Sequence, residues 1–195
     1  MRNRILAAFL LFAIAAIAIA APVPKALKKR DKDWMPILAG SRWEYSSPDD
    51  PTTVNEIREI LAVTEKGGDV IAEQRTSNLT QVFRQDSTGI AVIKSGGRDH
   101  VNPRYIIKNG MKEGDTWDWD ATGYVETRTV GKPEKIKIPA GEYEAQPVNF
   151  KYVQNGTIFQ SGTVWYADGI GLVRIDTEGS ESQVLKAYTP GAAKK

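Results

Sequence analysis

Asp118-Trp119-Asp120-Ala121-Thr122-Gly123 follows the opening of a calcium loop, Asp-x-Asp-x-Thr-Gly. Such a loop clusters oxygen ligands and uses glycine for its sharp turn. The bidentate glutamate required at the twelfth position is absent, because Thr129 stands there. No helical pattern flanks the segment, so it reads as a solvated strand followed by a loop. His100, the only histidine, lies in "GGRDHVNPR". It is a candidate general base for a serine hydrolase, yet no Gly-x-Ser-x-Gly elbow accompanies it. The glycines and charges around it predict an exposed loop. Zinc needs several His or Cys ligands, and the chain has one His and no Cys. Glu142 and Glu144 have the look of a glycosidase's paired acids. Two residues apart in a strand they share a face at about 7 Å. That spacing is unspecific among 24 acidic residues. The tryptophans are candidates for stacking on sugar rings, but their positions favour a core. No catalytic, metal or cofactor-binding residue is therefore assigned, and no cofactor is expected. A cleft where Asp118, Glu142 or His100 converge is what a hydrolase would require.

The elements that must position these residues read as β-strands. "VIAEQRT" (Val70–Thr76), "QVFRQ" (Gln81–Gln85), "IAVIK" (Ile90–Lys94) and "LVRID" (Leu172–Asp176) are short and β-branched, with turn residues at their ends. Val148, Phe150 and Tyr152 alternate with Asn149 and Lys151, the period of a half-buried strand. Asn155-Gly156 suits a type I′ hairpin turn, and Lys66-Gly67-Gly68-Asp69 a second hairpin loop. "VNEIREILAV" (Val54–Val63) has partial helical spacing, but its β-branched end runs into that glycine pair, which favours a strand. Hairpin spacing without intervening helices predicts an antiparallel meander.

Two stretches recur in order. Gly40-Ser41-Arg42-Trp43-Glu44-Tyr45 matches Gly114-Asp115-Thr116-Trp117-Asp118-Trp119, 74 residues on. Phe83 to Ile93 matches Trp165 to Ile175, 82 residues on, through aromatic-x-x-Asp-x-x-Gly-aliphatic. The second copy places Trp165, Asp168 and Gly171 in that pattern, with Tyr166 and Gly169 between them. The growing offset implies a loop insertion around Pro139-Ala140-Gly141. Trp43, Tyr45, Trp117 and Trp119 would face inward while Glu44 and Asp118 face water. Each ring buries roughly 150–250 Å², so these residues are expected to nucleate a core. The fold expected is a single antiparallel all-β domain: a curved sheet or half-barrel built from two diverged halves, about 40–110 and 114–190. A β-sandwich is the alternative.

The ends differ from the middle. Met1–Arg4 is basic, and an apolar run of 17 residues, Ile5–Ala21, ends in small side chains. These are the parts of a cleaved secretory signal, residues 1–21; retention as a membrane anchor is the alternative. Residues 22–33 read as a flexible basic linker, 34–190 as the domain, and 191–195 as a disordered tail. From Trp34 to Pro190 the chain has 17 basic and 22 acidic residues. That sign opposes nucleic-acid binding, which needs clustered positive charge. Lys25, Lys28, Lys29, Arg30 and Lys32 of the linker allow weak contact with an anionic membrane surface.

"GDTWDW", "IPAGEYEA" (Ile138–Ala145) and "WYADGIGLVRI" together resemble a motif triplet of exported bacterial all-β proteins of uncharacterised function, the TapB-like group. The resemblance spans Gly40 to Ile175 with gaps and implies a fold and export, with no catalytic residues to carry over. The expectation is an exported, monomeric, non-enzymatic binding or assembly module of the bacterial envelope. Its partner is an envelope component or a small ligand. A carrier of a lipid or another hydrophobic ligand is the alternative, and would need an open apolar cavity. A hydrolase is the second alternative.

Overall fold

The computed structural model describes residues 32–192. The signal segment, nearly all of the linker and the last three residues lie outside the described residues. Thirteen antiparallel strands form one sheet. They are β1 (Arg42–Ser46), β2 (Glu56–Lys66), β3 (Asp69–Arg75), β4 (Thr80–Gln85), β5 (Gly89–Ser95) and β6 (Arg98–Lys108). There follow β7 (Thr116–Ala121), β8 (Tyr124–Val130), β9 (Glu134–Ile138), β10 (Gly141–Gln154), β11 (Thr157–Ala167), β12 (Gly171–Thr177) and β13 (Gln183–Thr189). No helix occurs among the described residues.

The strand order is β6-β5-β4-β3-β2-β1-β13-β12-β11-β10-β8-β7, with β9 attached beside β10. Register shifts interrupt six of the strand pairs, including those at Glu44/Tyr45, Ile60/Ala62 and Trp165/Tyr166. Such bulges add local twist and bend the strand that carries them. The sheet thereby curls nearly into a barrel, and the half-barrel expectation holds with more closure than the sequence predicts. "VNEIREILAV" is a strand from Glu56 onward, and Asn155-Gly156 closes the β10–β11 hairpin with φ of 50° and 78°. Pro139 and Ala140 are the turn between β9 and β10, so the extra residues there form a paired strand and not a loop.

The ends of the curl, β6 and β7, meet at a seam that has no backbone ladder. The sequence explains why. Pro103 in β6 has no amide hydrogen to give a neighbour and belongs on an edge. Asp118 and Asp120 put charge on the outward face of β7, as edge strands commonly do. Side chains close the gap instead. The Trp117 indole donates to the Tyr105 carbonyl at 2.7 Å, and that of Trp119 to the Asn102 carbonyl at 2.9 Å.

Inside the barrel a continuous core runs from Trp43, Tyr45 and Ile60 through Phe83, Val92 and Ile107 to Val148, Val164 and Leu185. One end is stopped by the segment before β1, where Trp34, Met35 and Ile37 are buried. Gly40 and Gly114, each leading into a Trp-bearing strand, have φ of 83° and 88°. Only glycine adopts that turn without strain.

Candidate functional site

The barrel interior is not filled. A cavity of about 330 Å³ lies between the Met35 end and the β3–β4 loop, where Thr76, Asn78 and exposed Leu79 form its rim. That volume is at the lower edge of the range for small-molecule pockets, roughly 300–1,000 Å³. The walls come from alternate, inward positions along several strands: Trp43 and Tyr45 of β1, Phe83 of β4, Val92 of β5, Val164 and Tyr166 of β11. They are largely apolar and buried.

The period of two also points charges inward. Glu126, Arg128 and Val130 of β8 pair in register with Tyr152, Phe150 and Val148 of β10, and this whole row faces the interior. Arg104 of β6 reaches across the seam to the same place. Its Nε and Nη2 donate to the Glu126 carboxylate at 2.5 and 3.0 Å, and Nη2 also donates to the Tyr152 hydroxyl. Arg128 Nη2 donates to Oε1 of that carboxylate at 2.6 Å, the oxygen that also accepts from Arg104 Nη2. Glu126 is 1% exposed and Arg128 6%. Burial alone would push the Glu126 carboxyl up, but Arg128 and Arg104 outweigh it and hold the group below the usual carboxylate range. Burial raises the phenols of Tyr152 and Tyr166.

Arg58 of β2 lines the opposite wall, with its guanidinium over the Tyr45 ring at 4.9 Å and Glu56 at 3.2 Å. The interior thus carries Arg58, Arg104 and Arg128 against Glu56 and Glu126, an excess of one positive charge. The buried Nε of Arg128 has no hydrogen-bond partner among the described residues. Isolated buried charge is costly.

The structure separates the other candidates. Trp43 and Trp117 are buried at 2% and 7%, Trp119 is half-buried, and Asp118 and Asp120 face out. The Trp43 indole and the Tyr45 hydroxyl donate to the Ile170 and Leu172 carbonyls of the far half. Tyr166 points inward, whereas Trp165 points to the other face, where its indole meets Glu134 of β9 and Arg174 covers the ring. Asp168 accepts from the Asp33 amide, tying the start of the domain to the β11–β12 turn around Gly169, before Gly171. Pro139 and Gly141 frame the β9–β10 turn.

His100 corrects an expectation: it lies within β6, half-buried, and not in an exposed loop. Strand β6 starts two residues earlier because Gly96-Gly97 makes a tight hairpin turn there. The ring packs on Trp119 at 5.2 Å, and Nε2 lies 3.1 Å from Ser95 Oγ. No acid bonds Nδ1 among the described residues, so the pair lacks the orienting carboxylate of a triad. Burial and the nearby Arg104 push the imidazole down. Asp118, Glu142 and His100 stand on separate strands, β7, β10 and β6. No group of three His, Cys, Asp or Glu side chains with metal-holding geometry occurs among the described residues.

No protein-family model matches the chain, and no curated protein does. Among solved structures, it is similar to a predicted exported protein with a YmcC-like fold from Bacteroides fragilis. That match has a TM-score of 0.48 and 13% identity, over 81% of this chain and 99% of the other. A predicted lipoprotein from Parabacteroides distasonis matches with a TM-score of 0.43 and 12% identity, over the same shares. The TapB-like resemblance rests on the three motif blocks alone.

Proposed function

We propose that this chain is an exported, non-enzymatic binding protein of the bacterial envelope, and that its ligand site is the barrel interior. The N-terminal basic-apolar pattern and the absence of cysteine support export. One observation carries the choice of ligand class: the cavity of about 330 Å³, with an apolar wall and inward arginines, open at the β3–β4 rim. An assembly module acting through loops or an edge needs no such space, whereas a carrier of a small hydrophobic ligand does. The dispersed positions of Asp118, Glu142 and His100 favour binding over hydrolysis.

The neutral fluorophore N-phenyl-1-naphthylamine tests this reading without reliance on charge. The mature protein is expected to enhance its fluorescence saturably. Val164→Phe, which projects a ring into the cavity, is expected to weaken the enhancement about tenfold or more while the far-ultraviolet circular dichroism stays unchanged. Absence of saturable enhancement by the wild-type protein would rule the reading out.

A further inference from the structure

We infer that the ligand is an amphiphile carrying a single carboxylate, held by Arg128 at the inner wall with its hydrocarbon tail along the apolar strands. This rests on the barrel interior being the ligand site.

Three observations converge. First, the charge count is unbalanced by one. Glu126 is shared between Arg104 and Arg128, and Glu56 is taken by Arg58. A monoanion restores neutrality, while a neutral lipid leaves the excess and a dianion reverses it. Second, the donors are unevenly used. Arg104 commits Nε and Nη2 to a two-point contact with Glu126, and Nη2 also to Tyr152. Arg128 gives Nη2 to Glu126, makes a long 3.4 Å contact from Nη1 to the Ile106 carbonyl, and hydrogen-bonds the Tyr166 phenol. Its Nε–H has no partner among the described residues, although the side chain is only 6% exposed and lines the cavity. A guanidinium with one unused N–H can add a charge-assisted N–H···O bond to a carboxylate. Third, the surroundings are amphiphilic in the same sense. Phe83, Val92, Val164 and Leu172 supply apolar wall, and the buried Tyr166 phenol braces the Arg128 guanidinium.

The decisive experiment compares decanoate, decanol and decyltrimethylammonium as competitors of N-phenyl-1-naphthylamine on the wild-type mature protein and on Arg128→Met. A charge-assisted hydrogen bond in a dry site is strong, so decanoate is expected to displace the probe at roughly tenfold lower concentration than decanol. Decyltrimethylammonium is expected to compete worst. Arg128→Met leaves the Arg104–Glu126 pair intact and should fold; in it the preference for decanoate over decanol is expected to vanish while probe binding persists. Equal potency of decanoate and decanol on the wild-type protein would overturn the carboxylate inference and leave the binding reading standing. A decanoate preference that survives in Arg128→Met would overturn the assignment to Arg128. Failure of the wild-type protein to bind the probe at all would instead remove the reading beneath it. The wild-type comparison needs no variant to fold, and circular dichroism establishes whether Arg128→Met does.

Discussion

Glu126→Gln is expected to destabilise the protein by about 3–5 kcal/mol, because it leaves two buried guanidiniums without their shared counter-charge. The amide is nearly isosteric, so packing is conserved and the loss reports charge. Arg128 is 6% exposed and Arg104 19%, so neither recovers full hydration in place. For a domain of this size the melting temperature should fall roughly 6–20 °C, as measured by calorimetry. The same carboxylate predicts acid sensitivity. Its folded pKa lies below the unfolded value of about 4.3, since Arg128 and Arg104 overcome the cost of burial. The resulting stabilisation is fully present above the unfolded pKa and is lost as pH falls through the folded value. Glu126→Gln should therefore flatten the acid limb of the stability profile. An unchanged melting temperature would mean that the two arginines are hydrated after all.

Trp117→Ala should cost about 3–5 kcal/mol, the range for removing a buried aromatic, and its local signature should lie at the seam. Trp117 is 7% exposed, and its indole donates to the Tyr105 carbonyl across a gap with no backbone ladder. Losing it removes packing and one of the seam's few hydrogen bonds together. Amide hydrogen exchange in β6 and β7 is expected to accelerate more than in β1 and β13. Trp43→Ala provides the contrast. That ring is as deeply buried and stacks on Tyr188 at 5.3 Å, but β1 is held to β13 by five register pairs. Its loss should lower global stability without selective opening. Selective exchange at β1 and β13 after Trp117→Ala would contradict the seam's description.

The strands and the inward set of the aromatic pairs were legible because alternation and turn residues are local properties. "GDTWDW" reads directly: Trp117 goes in and Asp118 stays in water. The interior charges were not legible, because charged residues are assigned to the solvent face by default. Yet "YVETRTV" contains the signal. Glu126, Arg128 and Val130 share one parity, and the valine marks that face as buried. Arg104 was hidden in "GGRDHVNPR", whose glycines suggest a loop although Pro103 and its neighbours continue β6. Barrel closure depends on twist accumulated over many pairs and on bulge positions, which no local window carries. We also propose that the two halves are diverged copies. The order β1 to β6 followed by β7, β8 and β10 to β13 supports this, with β9 as the inserted strand. On that reading β1 beside β13 and β7 beside β6 are equivalent junctions, one laddered and one bridged by side chains.

The most direct test of the interior as a ligand site is native mass spectrometry of the mature protein, expressed with its own signal and purified gently from a bacterial envelope fraction. The expected spectrum contains a second species, heavier than the bare chain by one small amphiphile. That mass should disappear after Val164→Phe and should be released as a carboxylic acid on denaturation. A bare chain from the envelope that also remains bare after incubation with decanoate would contradict it.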